Sequence, residues 1–513
     1  VSDSGHSRQL AAPLPITRFG LFTPYRRNAS ATNAPHLRGD VTMKLTRTAP
    51  LAGLAILATA CATEPDGGAA AGPAFGRAGG ETARHQAASA AASRGVAICS
   101  GLWSGGQSME MIEAVSGTSA PSDAWAIDVD EENRVVSVRY DEAMPPRLVA
   151  WRPVLGCVQA PPGAMLSDLA SYPAVRAGVT TPDLDDQPWP MGDQDAIGAL
   201  PADQQNALDA IVEAAFDGES YGGGTWGVIV VHDGEIVAER YDRGYGIHIG
   251  DQTHSAAKSF AASVVGVAVE DHGLDIHAAP VLDMWRKPGD PRVAITIEHL
   301  IRMSSGLYGE GGGSPQGDIY SAGGTVVGRA GSNMLDTMPG TRFLYNPPDT
   351  MLMIRAVHEH IGDDQAFIEM PFTEFFWKIG MTRTTPASDW NGDFLMSGQT
   401  YSTARDFARF GLLYLADGVW NGERILPEGW ADYVSTPGPA QPAGGAGYGG
   451  QFWLYGGMDG LPEGVYSAVG GQGQYAVIIP SANTVVVRRG HDPRGQGFEI
   501  RRFSADVLAA MGE

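Results

Sequence analysis

The sequence predicts an α/β protein of the α+β kind, with an antiparallel β-sheet flanked by helices, a mostly α-helical domain beside it, and a small β-containing module ahead of both. Three observations carry this. Residues 226–241 read as two strands around a tight Asp233-Gly234 turn, residues 274–442 are mainly helical in pattern, and strands return at 465–468, 474–479 and 484–489 before a closing helix over 498–511. Strands at both ends of a region with helices between them are expected to form one sheet from the two ends.

In chain order, residues 1–42 carry Arg, His, Pro and Ser without periodicity. Met43-Lys44-Leu45-Thr46-Arg47 then leads into an apolar run over 49–60 that ends in Ala58-Thr59-Ala60 before Cys61. A basic start, a dozen apolar residues and small residues at the end spell a bacterial export signal over 43–60, too short for a permanent membrane span. Met43 therefore reads as the start, and 1–42 as a non-native upstream extension. Cys61 after Leu57-Ala58-Thr59-Ala60 reads as a lipidation site, while Ala58-x-Ala60 also satisfies an ordinary cleavage rule. The expectation is an exported, periplasmic lipoprotein whose one membrane contact is a lipid anchor at Cys61. Residues 61–95, with almost no large apolar side chains, read as a flexible tether.

The chain has 513 residues, a formal net charge of −23 and three cysteines. That length holds two or three domains, and that charge argues against nucleic acid or an anionic membrane surface as partner. In an oxidising compartment Cys99 and Cys157 are expected to pair, with two buried free thiols as the alternative. Three cysteines are too few for a structural zinc site.

Residues 96–186 hold strand-like runs at 134–140 and 147–151, which fit a small module stapled by that disulfide. A Pro- and Asp-rich linker over 182–193 precedes helical spacing over 202–216, and residues 200–513 read as one large domain.

Its chemistry centres on His254-Ser255-Ala256-Ala257-Lys258-Ser259-Phe260 and the apolar run to 269, read as a helix from about Ser255 to Gly273. Ser255 and Lys258, three apart, share a helical face. A serine in the first turn meets free N–H groups and the positive end of the dipole. A buried lysine loses affinity for its proton and can take that of the hydroxyl.

Together with Thr296-Ile297-Glu298-His299-Leu300, Pro339-Gly340-Thr341-Arg342-Phe343-Leu344-Tyr345-Asn346-Pro347, Ser402-Thr403-Ala404-Arg405-Asp406 and Gly470-Gly471-Gln472-Gly473-Gln474, these residues carry a family resemblance. From residue 226 onward the chain resembles the serine β-lactamase and penicillin-binding superfamily, in its class C-like branch of esterases and 6-aminohexanoate-dimer hydrolases. The resemblance implies an active site at the seam of sheet and helical domain. Ser255 would be the acylated nucleophile, Lys258 the proton acceptor or relay, and Tyr345 a shuttle made basic by the positive charge of Lys258. Gly470 aligns with the glycine of the third box, and the backbone N–H groups of Ser255 and Gly471 would form the oxyanion hole, which typically contributes about 3–4 kcal/mol.

The chain departs from the pattern twice. Tyr345-Asn346-Pro347 lacks the asparagine two residues after the tyrosine, and Ala468-Val469-Gly470 lacks the cation of the third box, which helps to hold a drug carboxylate. Arg342, Arg488 and Arg489 read as surface charges and not as substitutes. His254, His299 and His491 invite a triad, but Ser255 lacks the flanking glycines of a nucleophile elbow. No metal motif is present, and no cofactor is implied. The expected activity is cleavage of small esters or linear amides through an acyl-enzyme on Ser255. The alternatives are a true β-lactamase or D-amino-acid peptidase, and a catalytically impaired cell-envelope binding protein.

Overall fold

The structure, a computed structural model, describes residues 83–116, 126–309 and 315–513. The upstream extension, the export signal, Cys61 and the tether up to residue 82 lie outside the described residues. Among the described residues no helix is long and apolar enough to cross a membrane.

The tether reading fails over its last part, because residues 83–95 belong to helix α1 (Ala83–Cys99). Alanine has the highest helix propensity, and Ala88, Ala91, Ala92, Gly95, Ile98 and Cys99 recur at helical spacing as one buried stripe. Small residues let that stripe lie close on a four-stranded antiparallel sheet of β1 (Ile127–Asp130), β2 (Val135–Val138), β3 (Arg147–Arg152) and β4 (Gly156–Gln159), in that spatial order. A Cβ at Gly95 would come within 2.9 Å of Val149 Cγ2 on β3. The predicted disulfide is present and joins Cys99, the last residue of α1, to Cys157 in β4.

The second layer system begins with α2 (Ala202–Ala214) and the hairpin of β5 (Thr225–His232) and β6 (Glu235–Tyr241), which turns at Asp233 and Gly234, both at positive φ. Then come α3 (Ala257–His272), α4 (Gln316–Ser321), α5 (Pro347–Ile361) and α6 (Ala404–Leu415). The chain returns to the sheet through β7 (Gly447–Tyr448), β8 (Trp453–Leu454), β9 (Tyr466–Gly470), β10 (Gln474–Ile479) and β11 (Thr484–Gly490), and ends in α7 (Ile500–Met511). The seven strands are antiparallel in the order β7-β8-β9-β10-β11-β5-β6, so β11 closes the sheet against the hairpin of residues 225–241.

Both faces of this sheet are covered, which explains why β5 and β11 are apolar almost without interruption. Ile229, Val231, Ile478, Val485 and Val487 share a core with Phe260 and Val264 of α3, Leu352 of α5 and Phe407 and Phe410 of α6. On the other face Val228, Val230, Val477, Ile479 and Val486 meet Leu208 and Val212 of α2 and Phe503 and Val507 of α7. The helix α3 is buried from Ala257 through Ala268, sandwiched between sheet and helical region.

Replacing Cys99 and Cys157 together by serine is expected to destabilise the protein by about 2–4 kcal/mol. The check is thermal unfolding with and without reductant: the parent in reductant should fall to the melting temperature of the double variant, and an unchanged parent would show that the bond is not formed.

Candidate active site

Ser255 lies in a single 3₁₀ turn, His254–Ala256, that runs straight into α3, so the first-turn position expected from the sequence is observed. The chain enters this turn through a left-handed residue, His254, with φ +46°. Strand β9 ends against it. A Cβ at Gly470 would lie 2.1 Å from Thr253 O and 3.1 Å from Ala256 N, so only glycine lets the strand come so near. Gly471 follows beside His254, whose Cγ would be 3.8 Å from an added Cβ. The predicted third-box residues are thus brought to the predicted nucleophile.

Lys258 Nζ lies 3.2 Å from Ser255 Oγ and 5.1 Å from the centroid of the Tyr345 ring. The residue is 1% exposed, and burial draws the ammonium down to about 7. At Tyr345 burial dominates and pushes the phenol up to about 12, against the lowering influence of the neighbouring Ser255 hydroxyl. Burial thus works against both halves of the expected pairing, lowering Lys258 so that less of it is charged near neutral pH and raising Tyr345 towards the neutral phenol. The Tyr345 ring is set by Tyr448 of β7 and Trp453 of β8, at centroid distances of 5.9 and 5.7 Å.

Two residues that no motif pointed to complete this network. Ser397 offers its carbonyl oxygen to Lys258 Nζ in a short hydrogen bond, and its hydroxyl bonds the hydroxyl of Tyr320 on α4. Asn346 does not take the place of the missing second-box asparagine. Its Nδ2 donates to Asp349 Oδ1 at 2.7 Å, beside the Ser305 hydroxyl at 2.8 Å. Asp349 is buried, which raises its carboxyl to about 7 against the lowering effect of those two donors.

Arg488 and Arg489 are fully buried, which overturns their reading as surface charges. Arg488 pairs with Asp492 at 2.6 Å and donates to Gly473 O at 3.0 Å. Arg489 donates to Ser402 O at 2.7 Å, Asp251 O at 3.0 Å and Gln474 Oε1 at 2.6 Å, with aromatic rings of Trp226 and Phe407 against its guanidinium. Both are committed to the protein. Arg342 pairs with Asp336 at 2.7 Å.

The three histidines are engaged elsewhere. His299 closes a helix cap with Thr296, and His491 Nε2 meets Tyr245 OH at 2.7 Å and Asp251 Oδ2 at 3.1 Å. His254 bonds Gln472, and burial draws it down to about 4, so it is neutral at physiological pH. Asp185, Asp193 and His248 converge at metal-ligand spacing. Arg383 pairs with Asp185 at 2.6 Å, and Arg409 and Arg405 reach Asp193 at 2.8 and 3.2 Å, so the carboxylates are already neutralised by cations.

Compared with known proteins, the chain matches the family model described as Beta-lactamase over residues 208–509, more than half its length. It is 25% identical over 284 residues to a 6-aminohexanoate-dimer hydrolase of Paenarthrobacter ureafaciens, a match that spans 51% of this chain and 71% of that relative. Among solved structures, a protein of Bacteroides dorei DSM 17855 provisionally designated a beta-lactamase superposes with a TM-score of 0.50 at 21% identity, covering 60% of this chain and 98% of its own. It shares the fold. A family VIII carboxylesterase superposes with a TM-score of 0.47 at 15% identity, covering 61% of this chain and 98% of its own.

The raised Asp349 carboxyl gives a signed expectation for stability. A carboxyl that holds its proton longer when folded contributes stability that is full below about pH 4 and is lost as pH rises through about 7. Asp349→Asn keeps the acceptor for Ser305 and Asn346 and removes the titration. It should unfold in urea at a higher midpoint than the parent at pH 8, by about 1–4 kcal/mol, with the difference closing near pH 4. A difference that stays the same at both pH values would show that the Asp349 carboxyl titrates alike in the folded and unfolded states, and a variant destabilised more at pH 8 than at pH 4 would show that the carboxylate is stabilised in the fold.

Proposed function

The chain belongs to the beta-lactamase family, and from that premise we propose that it is a serine hydrolase that cleaves small esters or linear amides through an acyl-enzyme on Ser255. The observation that carries this reading is the buried Lys258 amine, 3.2 Å from the Ser255 hydroxyl and able to be neutral near pH 7. Free amine accepts the proton of Ser255 Oγ as that oxygen bonds the substrate carbonyl carbon. The oxyanion is held by the N–H groups of Ser255 and Gly471 at the start of α3, worth about 3–4 kcal/mol of the barrier. The phenol of Tyr345 gives its proton to the departing alcohol or amine and takes that of Lys258 in exchange. Water then follows the same path in reverse and frees the acid.

The substrate class follows from the cations. A β-lactam carries a carboxylate that a fixed positive charge would hold, a contact worth roughly 1.5–3 kcal/mol. Arg488 and Arg489 are buried and satisfied by the protein, and Arg342 is paired with Asp336. Substrates that need no fixed cation are favoured, and the likeness to a 6-aminohexanoate-dimer hydrolase separately supports the linear amide as a scissile bond. We further propose export and a lipid anchor at Cys61. The Cys99–Cys157 disulfide supports an oxidising compartment.

The test is turnover of a p-nitrophenyl short-chain ester and of a chromogenic cephalosporin, with intact-mass analysis, by the parent and Ser255→Ala. Ester turnover that is lost in the variant, with little cephalosporin cleavage, is the expected result. Faster cephalosporin turnover would make it a β-lactamase, and an acyl adduct that never turns over would make it a binding protein.

Because free amine is the competent base, kcat/KM should rise about tenfold per pH unit below about pH 7 and level off above it. The same depressed pKa works against the fold at low pH, since the stability Lys258 contributes is lost as pH falls through about 7. Lys258→Met should therefore be inactive yet melt higher than the parent at pH 6. A rate that is flat between pH 6 and 8 would remove Lys258 as the base.

A further inference from the structure

A cavity of about 1400 Å³ lies between the N-terminal module and the hydrolase domain. One wall is α1. Its buried stripe faces the sheet of β1–β4, and the neighbouring stripe of Ser89, Ser93 and Val96, again at helical spacing, faces the cavity. The opposite wall is α4 with the segment that follows it, and the floor includes Gln252 and Gln399. Ser255, Lys258 and Tyr345 do not line this space. Tyr320 connects the two, since it faces the cavity and its hydroxyl bonds Ser397, whose carbonyl takes the Lys258 amine. Gln252 also spans both, three residues ahead of Ser255 and donating to Gly398 O at 3.0 Å.

The module builds this wall and also holds the facing one. Buried Arg147 of β3 donates to Ala88 O of α1 at 3.1 Å and to Ser321 O of α4 at 3.3 Å. Gln159 of β4 donates to Ile319 O of α4 at 2.9 Å. The helix that carries Tyr320 is thus fastened to the module by hydrogen bonds.

The lining is polar but nearly neutral. Asp318 and Arg329 form an ion pair with each other, which leaves hydroxyl and carboxamide groups, with the imidazole of His85, as the main hydrogen-bonding surface. A volume above the roughly 300–1,000 Å³ usual for one small ligand fits an extended chain. We propose that the cavity is a substrate subsite, one wall of it contributed by the N-terminal module, that holds a neutral, amide-bearing chain remote from the scissile bond. The proposal rests on the hydrolase reading for the word substrate, and its binding chemistry stands apart from it.

The probe is N-acetyl-glycylglycinamide, titrated calorimetrically into the full chain carrying Ser255→Ala, so that no turnover is needed. Saturable binding is expected, weakened at least about tenfold by Ser93→Trp, which fills the cavity from α1. Ser89→Trp provides the same block from the next turn should the first variant fail to fold, as judged by its melting temperature. In the active enzyme, Ser93→Trp should also lower the ratio of kcat/KM for the p-nitrophenyl ester of N-acetylglycylglycine to that for p-nitrophenyl acetate by about tenfold. No saturable binding up to about 10 mM, or binding untouched by either tryptophan in a folded variant, overturns the proposal. Binding lost on Ser93→Trp in a protein without Ser255-dependent hydrolysis would overturn the hydrolase reading and leave the cavity as a polyamide-binding site.

Discussion

The arrangement depends on keeping one lysine out of water. Moving an ammonium group from its ordinary value near 10.5 to about 7 corresponds to about 5 kcal/mol of lost solvation. A surface helix could not impose that. The burial of α3 from Ala257 through Ala268 supplies it, with the sheet on one side and the helical region on the other. What polar contact the amine retains is limited to Ser255, Ser397 and the face of Tyr345. The apolar run after Lys258 sets the proton affinity of the group it hides.

The seam on which this depends is fastened by Gln451. Its carbonyl accepts from Ser259 of α3 at 2.7 Å, its Nε2 donates to Leu300 O and Ile301 O, and its Oε1 accepts from Thr350 of α5. One buried residue, through its carbonyl and its side chain, thereby ties α3, the helix that follows Tyr345 and the segment after Thr296.

Much of this was legible in the sequence where a pattern has one physical meaning. The Asp233-Gly234 turn between apolar runs can hardly be anything but a hairpin, and Ser255 and Lys258 on one helical face next to an apolar run mark a desolvated amine. Other features hid because their signal is shared. The stretch around Ala88 and Ala91 has the composition of a linker, and only the sheet beneath it shows that small side chains were selected for close packing. Arg488 and Arg489 look like surface charges until the carbonyls that satisfy them are seen. Tyr320 and Ser397 belong to no motif, since their part in the network comes from α4 being held by Arg147 and Gln159 in a distant module. The protonation of Tyr345 depends on burial, which residue spacing does not reveal.

The placement of β11 between β10 and β5 has a consequence for how the chain acquires its structure. The sheet of β1–β4 is made of neighbouring strands joined in sequence, so its contacts are local and can form early. The larger sheet cannot close that way, because β5 has to wait for Thr484–Gly490 near the far end of the chain. Until then the apolar hairpin of β5 and β6 lacks its partner strand, although α3 can already pack against α5. About half of the chain separates the start of β5 from the end of β11, and over that span the hairpin of residues 225–241 stays open to chaperones or to misassociation.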